Sequence, residues 1–239
     1  MTSRKYVRLV AWFLLNQMLI IGCGMNTPLE NSFHPAGPMT SGPKAEAIFV
    51  SVGPEARPLK GATSAGKTAL AFIPLVPYGP QKISPEFFTK TGQVRPGGFR
   101  RDVADTVIKD LTAAGIARVV ADPERILDKD RIKNPYYLGL TLKEGIMNRN
   151  LTLYGLSFAG GLLCLFLPCA YGSVEIELEA EMKSADGDSL GIETFEGKDG
   201  VTEWLYNMGA FTRALPKVYG QISPKLRGFV VAAIDHSEH

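Results

Sequence analysis

Histidine is almost missing from this chain of 239 residues: it occurs only at 34, 236 and 239. All three lie in segments that read as a tether or a tail, so a histidine-based triad or a histidine-rich metal site has nothing to be built from. Cysteine is as scarce, with Cys23, Cys164 and Cys169. Strong charge of either sign is absent too. Charged residues make up 21% and the net charge is +2, which implies no polyanionic partner and no nucleic acid. The nucleophile-elbow pattern G-x-S-x-G is not met by Ser64 in "GATSAG". Aspartate and glutamate are plentiful, so a pair of catalytic carboxylates stays open. No cofactor and no metal centre is expected.

What is present is apolar and unevenly spread. Two stretches carry no charge, residues 9–22 and 151–172. The first follows a basic start, Arg4, Lys5 and Arg8, which is the layout of a secretory signal, and it is short for a spanning helix. It ends in "LIIGC", aliphatic residues and then Gly-Cys. This resembles the lipobox of bacterial lipoproteins. The resemblance implies a signal peptide over 1–22, a diacylglyceryl group on the Cys23 thiol, and acylation of the new N-terminus. A plain signal peptide and an uncleaved anchor are the alternatives. Gly24 stands where an aspartate would favour inner-membrane retention, so the resemblance implies an outer-membrane anchor facing the periplasm. Residues 24–44 are rich in Pro, Gly, Ser, Thr and Asn without periodicity, so 23–44 is predicted to be a flexible tether.

The folded part is predicted over 45–235 as one domain of α/β (α+β) type, a mixed or antiparallel sheet with one to three packed helices. "AEAIFVSVG", from 45 to 53, is apolar on both faces, as a central strand is. Residues 54–98 hold seven prolines and no long helix. "FRRDVADTVIKDLTAAGI" places Val103, Val107, Leu111 and Ala114 on one helical stripe, closed by Gly115. "IARVVAD" reads as a second strand. "YYLGLTLKEGIMNRNLTLYGL" reads as one long strand or a bent pair. "SVEIELEAEMKS" alternates, with Val174, Ile176, Leu178, Ala180 and Met182 inward and four glutamates outward on a wet face. "ADGDS" is a turn and "LGIETFEG" its hairpin partner. From Val201 the tail reads as a helical stretch broken at Pro216 and Pro224, with Leu226, Phe229, Val230 and Ile234 facing the sheet.

The second charge-free block, 151–172, is long enough to span a membrane, yet Gly155, Gly160, Gly161 and Pro168 weaken it as a helix in water. Strong strands flank it, and one crossing would put them on opposite sides of a bilayer. A core segment, a membrane-dipping hairpin or an oligomer contact keeps them together. Cys164 and Cys169 lie inside it, as free thiols or as a disulfide that an exported protein permits. No His, Asp or Glu lies near them, so they are not read as metal ligands.

One motif invites an enzyme. "GATSAGKT" fits G-x-x-x-x-G-K-T, with Gly61, Gly66, Lys67 and Thr68 as the nucleotide-binding set, and "VVAD" ending at Asp122 resembles a magnesium-holding strand end. A working phosphate loop joins a buried strand to a helix N-terminus. Here "GPEARPLK" precedes it and "ALAFIP" follows, which supply neither, so nucleotide binding is disfavoured. Instead, "IFVSVGPEARPLKGATSAGKTALAFIPLVPYGP" resembles the early part of several envelope lipoproteins of unknown role, with Glu55 and Arg57 as the charged pair. "YGLSFAGGLLCLFLPCAYGSVEIELEAEM" resembles their apolar segment and strand. The element order is also similar to the small α/β unit of Tol-system and curli-secretion periplasmic proteins. The resemblance implies a fold more than an activity. With no constellation for catalysis in the sequence, a lipid-anchored envelope protein is expected, with a structural, assembly or interaction role and no catalysis, bound to an envelope partner or to itself. Phe72, Ile73, Leu75, Val76 and Tyr78, with Phe158, Leu162 and Phe166, are the candidate contact residues. The alternative is an oligomeric, membrane-inserting or pore-assembling lipoprotein that uses 151–172.

Overall fold

A computed structural model of the chain describes Leu29 and residues 33–39, 42–53, 81–83, 98–126, 132–151, 170–203 and 210–237. They form an α+β fold. Six strands make one mixed sheet: β1 (Ala45–Val52), β2 (Gln81–Ile83), β3 (Ala117–Ala121), β4 (Tyr136–Leu151), β5 (Ala170–Lys183) and β6 (Ser189–Glu203). Five lie in the order β3-β1-β4-β5-β6, and β2 pairs with β4 off that line. Two helices, α1 (Gly98–Ala114) and α2 (Ala210–Ser237), pack on one face.

The pairing follows from the apolar pattern. β1 is buried from Ala47 to Val50 and lies between two parallel partners, β3 and β4, as its two-sided apolar character predicts. α1 is the crossover between β1 and β3. Its Val103, Val107, Leu111 and Ala114 are all buried, and Gly115 leaves the helix at φ 69°, a left-handed position that favours glycine. β4 is one continuous strand, not a bent pair. It carries a register shift between Leu142 and Glu144, and it pairs antiparallel with β5 from Tyr137↔Lys183 to Leu151↔Ala170. Along β5, Val174, Ile176, Leu178, Ala180 and Met182 are buried under the helices, as the alternation predicts. The turn to β6 needs Gly187 at φ 91°, where its N–H donates to the Ser184 carbonyl.

Three expectations change. The residues from Val201 to Glu203 belong to β6 rather than to a helix, because they pair with Ala170 to Gly172. β2 arises within the stretch predicted to be loop. And α2 runs unbroken for 28 residues through Pro216 and Pro224. Its buried stripe includes Leu215, Val218, Tyr219, Ile222, Leu226, Val230 and Ile234. Each such side chain is worth roughly 1.5–3 kcal/mol when buried, which together exceeds the ~3 kcal/mol that each interior proline costs. Pro224 and Gly220, whose carbonyl loses its helical partner to that proline, are both on the exposed side, where water can replace the bond. α2 lies close against the sheet: a Cβ on Gly197 would stand 2.6 Å from the Val218 carbonyl oxygen. Its Gln221 also pairs with the outer edge of β6, accepting from the Lys198 N–H at 3.0 Å and donating to the Lys198 carbonyl at 3.0 Å.

The largest correction concerns the predicted tether. Leu29 and Phe33 are buried at 1% and 6% exposure and join the core. Composition hides this, because two apolar residues four apart in a polar stretch suffice once a helix pair offers them a groove. Leu29 and the described residues 33–39 and 42–44 form a strap along α1. The Leu29 N–H donates to Asp102 near the start of α1, Lys109 Nζ donates to the Phe33 carbonyl, and the Met39 N–H donates to the Ala114 carbonyl at its end.

Candidate functional site

The densest polar cluster among the described residues lies where the strap crosses both helices. Asp110 of α1 is fully buried, and Ser223 and Arg227 of α2 are buried beside it. Arg227 donates to Asp110 Oδ1 through Nε at 3.0 Å and again through Nη2. Ser223 Oγ donates to Asp110 Oδ2 at 2.6 Å, and the Tyr219 hydroxyl donates to the same oxygen at 3.1 Å. The carboxylate therefore accepts four hydrogen bonds, which is what a buried charge requires. Arg227 turns two further donors to the strap: Nη1 to the Gly37 carbonyl at 3.2 Å and Nη2 to the Ala36 carbonyl at 3.1 Å. Phe33 completes the lock by an edge-to-face contact with Tyr219, centroids 4.7 Å apart. Burial pushes the Tyr219 hydroxyl well above its ordinary value of 10.0; the Asp110 charge and its hydrogen bond act the same way, and Arg227 opposes them.

This cluster is a fastener. Its carboxylate has no open lone pair, and its guanidinium is held in place by three partners. Sequence reading missed it, though a signal was present. Asp110 interrupts the apolar stripe of α1, and Tyr219, Ser223 and Arg227 recur every four residues on the apolar stripe of α2. Polar groups at core spacing on two helices are candidates for pairing.

The second feature is the far end of the sheet. β4 continues eleven residues past Leu140, the partner of the last paired residue of β1, and ends at Leu151 opposite Ala170. Ala170 in turn pairs with Glu203. β2 attaches to the same extension through Gln81↔Arg149 and Ile83↔Met147. Three connections thus start or end at this tip: the chain before Gln81, the chain between Leu151 and Ala170, and the chain after Glu203. Since Leu151 and Ala170 are paired neighbours, the chain between them leaves and returns at one end of the sheet, so a single crossing that parts β4 from β5 is ruled out.

The predicted site residues fall outside the described residues: Cys23; Gly61, Gly66, Lys67 and Thr68; Phe72, Ile73, Leu75, Val76 and Tyr78; Phe158, Leu162 and Phe166; and the pair Cys164 and Cys169. Asp122, the other half of the nucleotide-binding expectation, is engaged in its own turn. It accepts from the Glu124 N–H at 2.9 Å and pairs with Arg125 at 3.4 Å. The glutamate row of β5 has lysine partners: Glu175 with Lys198 at 2.7 Å, Glu179 with Lys143 at 3.0 Å and Glu181 with Lys183 at 3.1 Å. These pairs suit a solvated sheet face. Among the described residues no group of three His, Cys, Asp or Glu side chains is set to hold a metal ion, and no helix is long and apolar enough to cross a membrane.

No family model matches the chain, and no curated protein matches it. Two solved structures are similar to it. One is a DUF330-family protein from Xanthomonas campestris, 14% identical, covering 85% of this chain and 95% of that one, with a TM-score of 0.42. The other is described as a neuraminyllactose-binding hemagglutinin homolog from Helicobacter pylori, 10% identical, covering 86% and 98%, with a TM-score of 0.38. At these scores neither likeness bears on what this chain does.

Proposed function

We propose that this chain is a lipid-anchored cell-envelope protein with a structural, assembly or interaction role and no catalytic one. In this reading Cys23 carries the lipid, the anchor sits in the outer membrane, and the folded domain faces the periplasm. The basic start, the charge-free run and "LIIGC" support the anchor. The observation that carries the role is the strap. Six residues after Cys23 the chain is buried at Leu29, and the buried ion pair of Asp110 and Arg227 fastens it to both helices. A domain that binds the chain at Leu29, Phe33 and the Ala36 and Gly37 carbonyls, close in sequence to the proposed lipid, suits a protein that works by position. The scarcity of histidine and the full occupancy of the Asp110 carboxylate favour a non-catalytic role.

A second reading, membrane insertion by the 151–172 block, is favoured by one observation: Leu151 and Ala170 pair, so the block can leave and re-enter the domain as a hairpin. One experiment addresses both readings. The full chain, made in a bacterium with an outer membrane, is labelled with a palmitate analogue, and its membranes are washed with carbonate. The wild type is expected to take the label and stay in the pellet, and Cys23→Ser to lose both. Label persisting on Cys23→Ser sinks the anchor. An unlabelled Cys23→Ser protein that has lost residues 1–22 by mass and still resists the wash favours insertion.

A further inference from the structure

β6 ends the strand order, and its outer edge is closed at two places by side chains. Gln221 takes both the N–H and the carbonyl of Lys198, and the Gly200 N–H donates to the Asp199 carboxylate at 2.6 Å. Backbone groups alternate in direction along a strand. Those of Lys198 point outward, so those of Glu196, Thr194 and Ile192 do too, since the β5–β6 register does not shift between them. Among the described residues these three N–H groups have no acceptor. Their side chains are exposed, Ile192 at 61%. An edge that is capped on one side and bare beside an exposed isoleucine is a template for another strand.

A second copy of the same stretch fits this edge, antiparallel about a two-fold axis. Charge sets the register, because like charges directly opposite destabilise a strand pair. An axis at Ile192 would put Glu196 against Asp188, and one at Glu193 would put that glutamate against itself. An axis at Phe195 or Glu196 would run Ile192 or Thr194 onto Lys198, whose backbone Gln221 already holds. An axis at Thr194 avoids all of these. It pairs Thr194 with Thr194 and Ile192 with Glu196, and it stops short of the capped Lys198. α2 adds charge to the same arrangement. Gln221 stands over Lys198, and Phe229 stands over Gly191, where a Cβ would lie 3.3 Å from its ring. Lys225 is midway between them, one turn on from Gln221, and so overhangs β6 between Thr194 and Phe195. Glu193 lies on the helix side of β6, with Gly191, Phe195 and Gly197. Lys225 and Glu193 are both exposed, and within one copy neither has an ion pair among the described residues. Pairing about Thr194 sets Glu193 opposite Phe195 of the second copy, beneath that copy's Lys225. Gly228, on the same side of α2, has open space about it and leaves room for the second copy's helix.

We infer that the outer edge of β6 from Ile192 to Glu196 binds the same edge of a second copy, joining the two sheets across a two-fold axis at Thr194. This gives the proposed interaction role a partner and does not depend on acylation of Cys23, so either reading can fail alone. To test it, the full chain carrying Thr194→Cys is purified in mild detergent and oxidised, and bridged peptides are identified by mass. In the paired edges the two substituted positions stand about 5.5 Å apart, within disulfide reach. Ile192→Cys places its two positions four strand residues apart, roughly 14 Å, beyond that reach. Position 194 is expected to bridge to itself at least about tenfold more than position 192, since proximity sets effective concentration. Lys225→Glu, added to the Thr194→Cys chain, is expected to cut the yield at least about fivefold, and Glu193→Lys added to both is expected to restore it. Equal yields at the two positions, or no bridge at position 194, overturn the pairing; a different strand on this edge would give that result. A yield that Lys225→Glu leaves unchanged, or that the charge swap does not restore, overturns the contact between Lys225 and Glu193.

Discussion

Arg227→Met tests the fastener most directly. Methionine keeps much of the buried stem but removes every donor, leaving Asp110 charged and fully buried with only Ser223 and Tyr219. Breaking one side of a buried ion pair costs about 3–5 kcal/mol. Against a typical total stability of about 5–15 kcal/mol this is a large fraction, so the denaturant midpoint falls steeply. The loss has a second signature, because Arg227 also holds the Ala36 and Gly37 carbonyls. The strap should open ahead of the sheet, so limited proteolysis and hydrogen exchange over 33–39 should rise even in native buffer. Asp110→Asn removes the other charge. In a double-mutant cycle, Arg227→Met with Asp110→Asn should cost less than the sum of the single changes by roughly 1–3 kcal/mol. Strict additivity, or a loss under about 1 kcal/mol for Arg227→Met, the level of an exposed pair, refutes the reasoning.

Two further changes probe the packing around that pair. Gly197→Ala puts a methyl 2.6 Å from the Val218 carbonyl oxygen and 2.9 Å from Val218 Cγ1; overpacking of this kind costs about 1–3 kcal/mol, so a thermal midpoint equal to the wild type's would deny the close approach of α2. Tyr219, whose hydroxyl burial pushes above its ordinary value, contributes stability that is fully present below pH ~10 and declines above it as the unfolded state ionises first. Urea titrations from pH 9 to 11 should show that decline in the wild type and a flatter profile in Tyr219→Phe; parallel profiles would contradict it.

Much of this protein was legible as pattern. The alternation of β5, the two-sided apolar run of β1 and the stripe of α1 each report a period that only one secondary structure fits, so local chemistry sufficed. The anchor expectation likewise rests on contiguous residues. The structure decided what depends on distant partners. Pro216 and Pro224 argue locally for a broken helix, and only the apolar stripe lying on the sheet outweighs them. Val201 to Glu203 became strand because Ala170 to Gly172 lie beside them. Leu29 and Phe33 look like ordinary members of a polar tether until α1 and α2 form the groove that buries them. Asp110 and Arg227, 117 residues apart, could be paired only by the crossing of two helices. The sequence alone set β1, β3, the alternating part of β5, the stripe of α1 and the charge-free runs, because these are periodic and local. The tertiary structure decided that Leu29 and Phe33 are buried and that Asp110 meets Arg227, because burial of a few side chains depends on surfaces contributed from elsewhere in the fold.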